Sequence, residues 1–182
     1  MGLYRARDLV RVPGLLSLSR VFLAATFPLV LQHPVVALGV LAAAGLSDVL
    51  DGWFARRFGQ VTPTGAALDP ITDKVFVTTV AVSLVVGGYL SILDVVLLST
   101  REIGEIPLVV WLAVNRDARS RRAEHPMANL PGKIATALQF GTATAALLRM
   151  PHLGWVIDAT AGLGVLAAAS YWAREMRPMG AK

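Results

Sequence analysis

Six apolar runs divide the chain, at roughly 13–32, 35–57, 65–88, 90–114, 130–149 and 153–174. Short breaks marked by proline, glycine, histidine or clustered arginine separate them. Each run is about long enough, as a helix, to cross a hydrocarbon layer roughly 30 Å thick. The pattern predicts an all-α, polytopic membrane protein with six transmembrane helices, forming a single domain over 1–182. The leading MGLYRARDLVRV (1–12) reads as a short basic amphipathic juxtamembrane helix lying on the membrane surface.

The polar residues between the runs set an orientation. Arg5, Arg7 and Arg11 precede the first run, and Arg56 and Arg57 follow the second. Arg116, Arg119, Arg121 and Arg122 fill the connection after the fourth, and Arg174, Arg177 and Lys182 close the chain. The alternate connections, around His33-Pro34, Gly87–Tyr89 and Arg149–His152, hold a single arginine. The positive-inside rule then places both termini and the long fourth connection in the cytoplasm, as for a multi-pass protein of the cell (inner) membrane.

Composition agrees: of 182 residues 55% are hydrophobic and 16% charged, with a mean hydropathy of +0.60. The absence of cysteine excludes disulfides, thiolate nucleophiles and zinc-thiolate sites. A net charge of +5 fits attraction to anionic head groups. Nucleic acid is not expected as a partner, because RDARSRRAEHP interleaves no aromatic residues with its basic ones. No small-residue cleavage site follows the first run, so the N-terminus does not read as a cleaved signal.

Candidate chemistry concentrates in DVLDGWFARRFGQVTPTGAALDPITD, residues 48–73. Asp48 and Asp51 are spaced i,i+3, and Asp69 and Asp73 i,i+4, so each pair projects from one helix face. Any one of these acids taken alone is as easily a cap or loop residue. Four together in such apolar sequence repel strongly unless a cation lies between them. Hard oxygen donors of this kind suit Mg²⁺ or Mn²⁺. At about 1.5 Å per residue, Asp48 lies about 13 Å inside the cytoplasmic end of its run. Asp69 and Asp73 enter from the same side, and Arg20, Glu105 and Lys133 come to comparable or shallower depths, with Arg101 deeper. A polar cavity open to the cytoplasmic side is expected, and not a pore. Pro70 reads as a first-turn proline, which would leave Asp69 near a helix N-terminus, a place that favours anions. Gly52 and Gly65 beside the acids would let a flat or phosphorylated ligand approach the backbone. His33, His125 and His152 fall in loops and read as solvated.

The spacing Asp48-x2-Asp51-Gly52-x2-Ala55-Arg56-x8-Gly65-x3-Asp69-x3-Asp73 resembles, without a gap, the signature of the CDP-alcohol phosphatidyltransferases. The entry to the first run, Val12-Pro13-Gly14-Leu15-Leu16-Ser17-Leu18-Ser19-Arg20, is similar to that family's opening, with Gly14 where Asn is usual. The resemblance implies an enzyme that moves a phosphatidyl group from CDP-diacylglycerol to an alcohol and releases CMP, working as a homodimer in the bilayer. It implies that Asp48, Asp51, Asp69 and Asp73 hold two Mg²⁺ (or Mn²⁺) ions and that Asp73 is the catalytic base. Ser17, Asp48, Gly52, Ala55, Arg56, Thr62 and Gly65 correspond to CDP-lipid-binding positions. Arg101, Lys133 and Arg174 resemble acceptor-phosphate-binding positions. Arg101 and Glu105, spaced i,i+4, are equally readable as a structural ion pair.

Glycerol 3-phosphate is the expected acceptor, because the core and Arg101-Glu102-Ile103 are most similar to bacterial phosphatidylglycerophosphate synthases. Cardiolipin synthases, which use phosphatidylglycerol, and phosphatidylinositol-phosphate synthases are the alternatives. The non-enzyme alternative, a divalent-cation transporter, predicts charge across the whole membrane thickness and leaves Gly52, Arg56 and Gly65 unused.

Overall fold

The computed structural model describes residues 12–58, 63–115 and 130–176. The predicted surface segment at 1–12 and the arginine-rich fourth connection therefore lie almost wholly outside the described residues. Seven helices and no strand occur among the described residues: α1 Val12–Val30, α2 Pro34–Arg57, α3 Pro63–Val86, α4 Ile92–Leu98, α5 Thr100–Val114, α6 Leu130–Leu147 and α7 Leu153–Glu175. Two compact units divide the chain, one ending at Tyr89 and the other beginning at Leu90.

In the first unit α1 packs along both α2 and α3. Its buried positions explain how. Ser17, Arg20, Ala24, Phe27 and Leu31 recur every three or four residues and are all buried, the period of one helix face. Ala37, Leu41 and Ala44 answer from α2, and Phe76, Val80 and Leu84 from α3. Pro34 opens α2, where its missing N–H does no harm. Gly88, at φ +70°, makes the turn after α3 in a conformation other residues adopt at a steric cost.

In the second unit α7 is the common partner, packing on α4, α5 and α6. Its buried stripe runs Ile157, Thr160, Ala161, Ala167 and Ala168. Two glycines bring α5 against it. A Cβ at Gly104 would stand 2.7 Å from the Cβ of Ala168, and one at Gly164 would stand 2.4 Å from Oγ1 of Thr100. Thr100 uses that closeness to donate to the Ala161 carbonyl, 3.1 Å away. Trp172 likewise donates from Nε1 to the Gly104 carbonyl at 3.0 Å.

Two expectations are corrected. The fourth apolar run is not one helix but α4 and α5, interrupted at Ser99, whose N–H is shared between the carbonyls of Val95 and Val96. That tightening ends one set of helical bonds a residue before the next begins. Ser91 and Asp94 start α4 with a capping box: the Asp94 N–H donates to Ser91 Oγ, and the Ser91 N–H to Asp94 Oδ2. The second correction concerns α3. It begins at Pro63, so Pro70 lies inside the helix and Asp69 sits in its second turn, not at its N-terminus. The proline at 63 supplies the helix start that the sequence reading gave to Pro70.

The outer faces are as apolar as the inner ones. Phe22, Leu29, Val35, Val86, Val114 and Trp155 are all more than two-thirds exposed, while alanines fill much of the interior. Hydroxyls on these helices turn back on their own backbone. Thr26, Ser47, Thr79, Ser83, Thr142 and Thr160 each donate to a carbonyl three or four residues earlier, which satisfies the group without water. Among the described residues one helix, Leu153–Arg174, is long and apolar enough to cross a membrane by length and composition. Ser17–Val30 and Pro34–Leu50 are shorter apolar stretches, the latter ending two residues after Asp48 appears.

Candidate functional site

Because α1 touches both of its neighbours, a side chain on its buried face reaches α2 and α3 together. Arg20 does so. Its side chain is 2% exposed, and Nη1 lies 2.9 Å from Oδ1 of Asp48 on α2. The same Nη1 is 3.9 Å from Oδ1 of Asp73, and Nη2 is 3.8 Å from Oδ1 of Asp69, both on α3. One turn before, the buried hydroxyl of Ser17 donates to Oδ1 of Asp69. Three carboxylates from two helices thus meet around one guanidinium, and their outer edges stay open, with side chains 40–62% exposed.

The chemistry of that donor set fits a hard divalent cation. Every ligand-type atom is a carboxylate oxygen, as Mg²⁺ and Mn²⁺ prefer, and among the described residues three acids meet one arginine there. Among the described residues no three acidic or histidine side chains already close into a metal cage; the positive charge they surround is that of Arg20.

Asp51, Gly52, Ala55 and Arg56 lie on α2 and Gly65 on α3, but their side chains are outside the described residues, as is Thr62 altogether. Ser17, expected at the CDP-lipid, has its hydroxyl on Asp69. Arg20, read from the sequence only as a charge at the depth of the cavity, was given no site role. The signal was there: a lone arginine in an apolar run, three residues after Ser17.

Arg101, Lys133 and Arg174 belong to the second unit. Arg101 opens α5 and is held on several sides. Its Nη2 lies 2.7 Å from Oε1 of Glu102, while Nη1 donates to the Gly132 carbonyl at 3.1 Å and to Oγ1 of Thr136. The i,i+4 pair with Glu105 exists only at 3.8 Å, through Nε, so Glu102 and not Glu105 is the nearer acid. Lys133 is exposed on α6, next in sequence to Gly132, and Arg174 is exposed in the last turn of α7.

Residues 10–172 match the family model of the CDP-alcohol phosphatidyltransferase. Similar chains include a probable phosphatidylglycerophosphate synthase of Mycobacterium tuberculosis, 32% identical over 97% of this chain and 86% of the relative. A CDP-diacylglycerol--glycerol-3-phosphate 3-phosphatidyltransferase of Escherichia coli is 36% identical over 86% of each chain. The CMP-forming cardiolipin synthase of Rattus norvegicus is 36% identical over 56% of this chain, which spans about a third (34%) of that relative's length. The chain belongs to the CDP-alcohol phosphatidyltransferase family and is an enzyme of phosphatidyl transfer. Members of this family generally depend on a divalent metal.

Proposed function

We propose that this chain transfers the phosphatidyl group of CDP-diacylglycerol to glycerol 3-phosphate and releases CMP, as a multi-pass membrane protein whose active cavity faces the cytoplasm. The observation that carries the reading is the meeting of Asp48, Asp69 and Asp73 around Arg20. A cluster of that kind has no structural purpose that a simple apolar contact would not serve better. The apolar outer faces and the self-satisfied hydroxyls support a lipid surround. The homodimer is the family resemblance's own implication.

Asp48, Asp51, Asp69 and Asp73 are assigned as the ligands of two divalent ions. Bound there, the ions supply charge neutralisation and Lewis-acid polarisation of the diphosphate. Asp73 accepts the proton of the acceptor hydroxyl as its oxygen attacks the phosphorus that bears diacylglycerol, and the bond from that phosphorus to CMP breaks. Asp48, Gly52, Ala55, Arg56, Thr62, Gly65 and Ser17 are assigned to the CDP-lipid, and Arg101, Lys133 and Arg174 to the acceptor phosphate. Ser17 serves by orienting Asp69, whose oxygen its hydroxyl contacts.

Glycerol 3-phosphate is preferred as acceptor because the Escherichia coli relative, aligned along most of its length, carries it in its name, and the Mycobacterium tuberculosis relative is named a probable phosphatidylglycerophosphate synthase. The cardiolipin synthase reading rests on a match to about half of the chain. Purified protein with labelled CDP-diacylglycerol, a divalent metal and either glycerol 3-phosphate, phosphatidylglycerol, inositol phosphate or serine decides the matter. CMP release with glycerol 3-phosphate is expected. Release with phosphatidylglycerol alone would move the enzyme to cardiolipin synthesis, and release with none would overturn the proposal.

A further inference from the structure

The polar network at the start of α5 holds more residues than an acceptor site needs. Gln139 on α6 donates from Nε2 to both carboxylate oxygens of Glu102, at 3.2 and 3.1 Å, and also lies 2.8 Å from the Leu98 carbonyl at the end of α4. Glu102 in turn holds Nη2 of Arg101 at 2.7 Å. From the other side, Gly132 and Thr136 of α6 take Nη1. Helices α5 and α6 each pack along α7, and this chain of polar contacts joins the first turn of α5 to α6.

The geometry holds Arg101 without using all of its donors. Its Nε is buried and makes no hydrogen bond, and Glu105 faces it at 3.8 Å, beyond hydrogen-bonding distance. With Nη1 occupied and Nε buried, the donor left for a phosphate oxygen is the second N–H of Nη2, the first being on Glu102. A long, flexible arginine keeps one donor in a fixed direction only if its others are pinned.

We infer that Glu102, steadied by Gln139, is a positioning residue that holds the Arg101 guanidinium so that Nη2 meets the acceptor's phosphate. The inference rests on the assignment of Arg101 to that phosphate. Neither Glu102 nor Gln139 touches substrate in this account; both act through Arg101. The net charge matters as well. Glu102 offsets the charge of Arg101 through one N–H of Nη2.

The test is steady-state CMP release by the full-length protein in mixed micelles of CDP-diacylglycerol, with glycerol 3-phosphate varied, for Arg101→Gln, Glu102→Gln and Gln139→Leu. Glu102→Gln is expected to raise the acceptor KM about tenfold, the scale of one charge-assisted hydrogen bond. The KM for CDP-diacylglycerol should stay within about twofold, a bound set by experimental scatter against that tenfold step. Gln139→Leu should raise the acceptor KM in the same direction by a smaller factor. The double variant should be no worse than Glu102→Gln alone, since both act along one path. A purely structural role would lower the active fraction and leave the acceptor KM unchanged, and that result in both single variants would overturn the inference. If Arg101→Gln raised the acceptor KM while the other two did not, this inference alone would fall. If Arg101→Gln left the acceptor KM unchanged, the acceptor-phosphate assignment would fall and take the inference with it.

Discussion

Arg20 and Asp48 meet at 2.9 Å, an arginine almost wholly buried on one helix and a carboxylate more than half exposed on the next. The asymmetry defines the site. The cation is fixed from inside by the packing of α1, and the anions are gathered around it with their far edges open. Such a pocket is assembled before any ligand arrives, and metal ligands that need little rearrangement bind at lower cost.

Replacing Arg20 by Gln should therefore weaken the fold most when no metal is present. Removing one partner of a buried pair costs roughly 3–5 kcal/mol; partial exposure of the three carboxylates discounts this to about 2 kcal/mol. Thermal unfolding of the detergent-solubilised protein, with and without added Mg²⁺, is the check. The variant should melt lower than the wild type, and Mg²⁺ should recover part of the loss by replacing the missing charge. An unchanged melting temperature in metal-free buffer would contradict the clamp role of Arg20.

Asp73→Asn should lower CMP release by about 10²- to 10⁴-fold, the usual contribution of a positioned base, while CDP-diacylglycerol still binds in the presence of metal. Side-by-side turnover and lipid-binding assays separate the two effects. Turnover near the wild-type rate would remove Asp73 from the role of base.

Gly164→Ala tests the close contact of α5 with α7. The added methyl would meet Oγ1 of Thr100 at 2.4 Å and the Arg101 backbone nitrogen at 3.3 Å, so a loss of about 1–3 kcal/mol is expected from overpacking. With Thr100→Ala in the same chain the nearest clash disappears. The double variant should lose less than the sum of the single losses, read by denaturation in a double-mutant cycle. Strict additivity would mean that the two residues do not press on each other.

Much of this was legible in the chain itself. Apolar runs bounded by His33-Pro34, Gly87-Gly88 and Pro151-His152 gave helix limits within a few residues of those observed, because proline and glycine interrupt helices for local reasons. Asp69 and Asp73 were equally plain, since i,i+4 spacing alone puts them on one face, where both approach Arg20. Other features depended on partners distant in sequence. Gly104 and Gly164 look like ordinary small residues until Ala168 and Thr100 are brought against them, although Gly164 and Ala168 do form a small-xxx-small pair. Adjacent residues on a helix do not face each other, so the Arg101–Glu102 pair was overlooked in favour of Glu105. Gln139, 37 residues further on, is what holds Glu102 in place. The capping box of Ser91 and Asp94 was readable and was passed over inside a longer apolar run.

The most direct measurement is Mn²⁺ binding to the purified protein, followed by electron paramagnetic resonance as the free-ion signal is lost. Saturable binding is expected in the wild type, weakened about tenfold or more in Asp48→Asn, Asp69→Asn and Asp73→Asn, since each removes a charged ligand from one shared pocket. A protein carrying all three substitutions, still folded, that bound Mn²⁺ as tightly as the wild type would contradict the central claim.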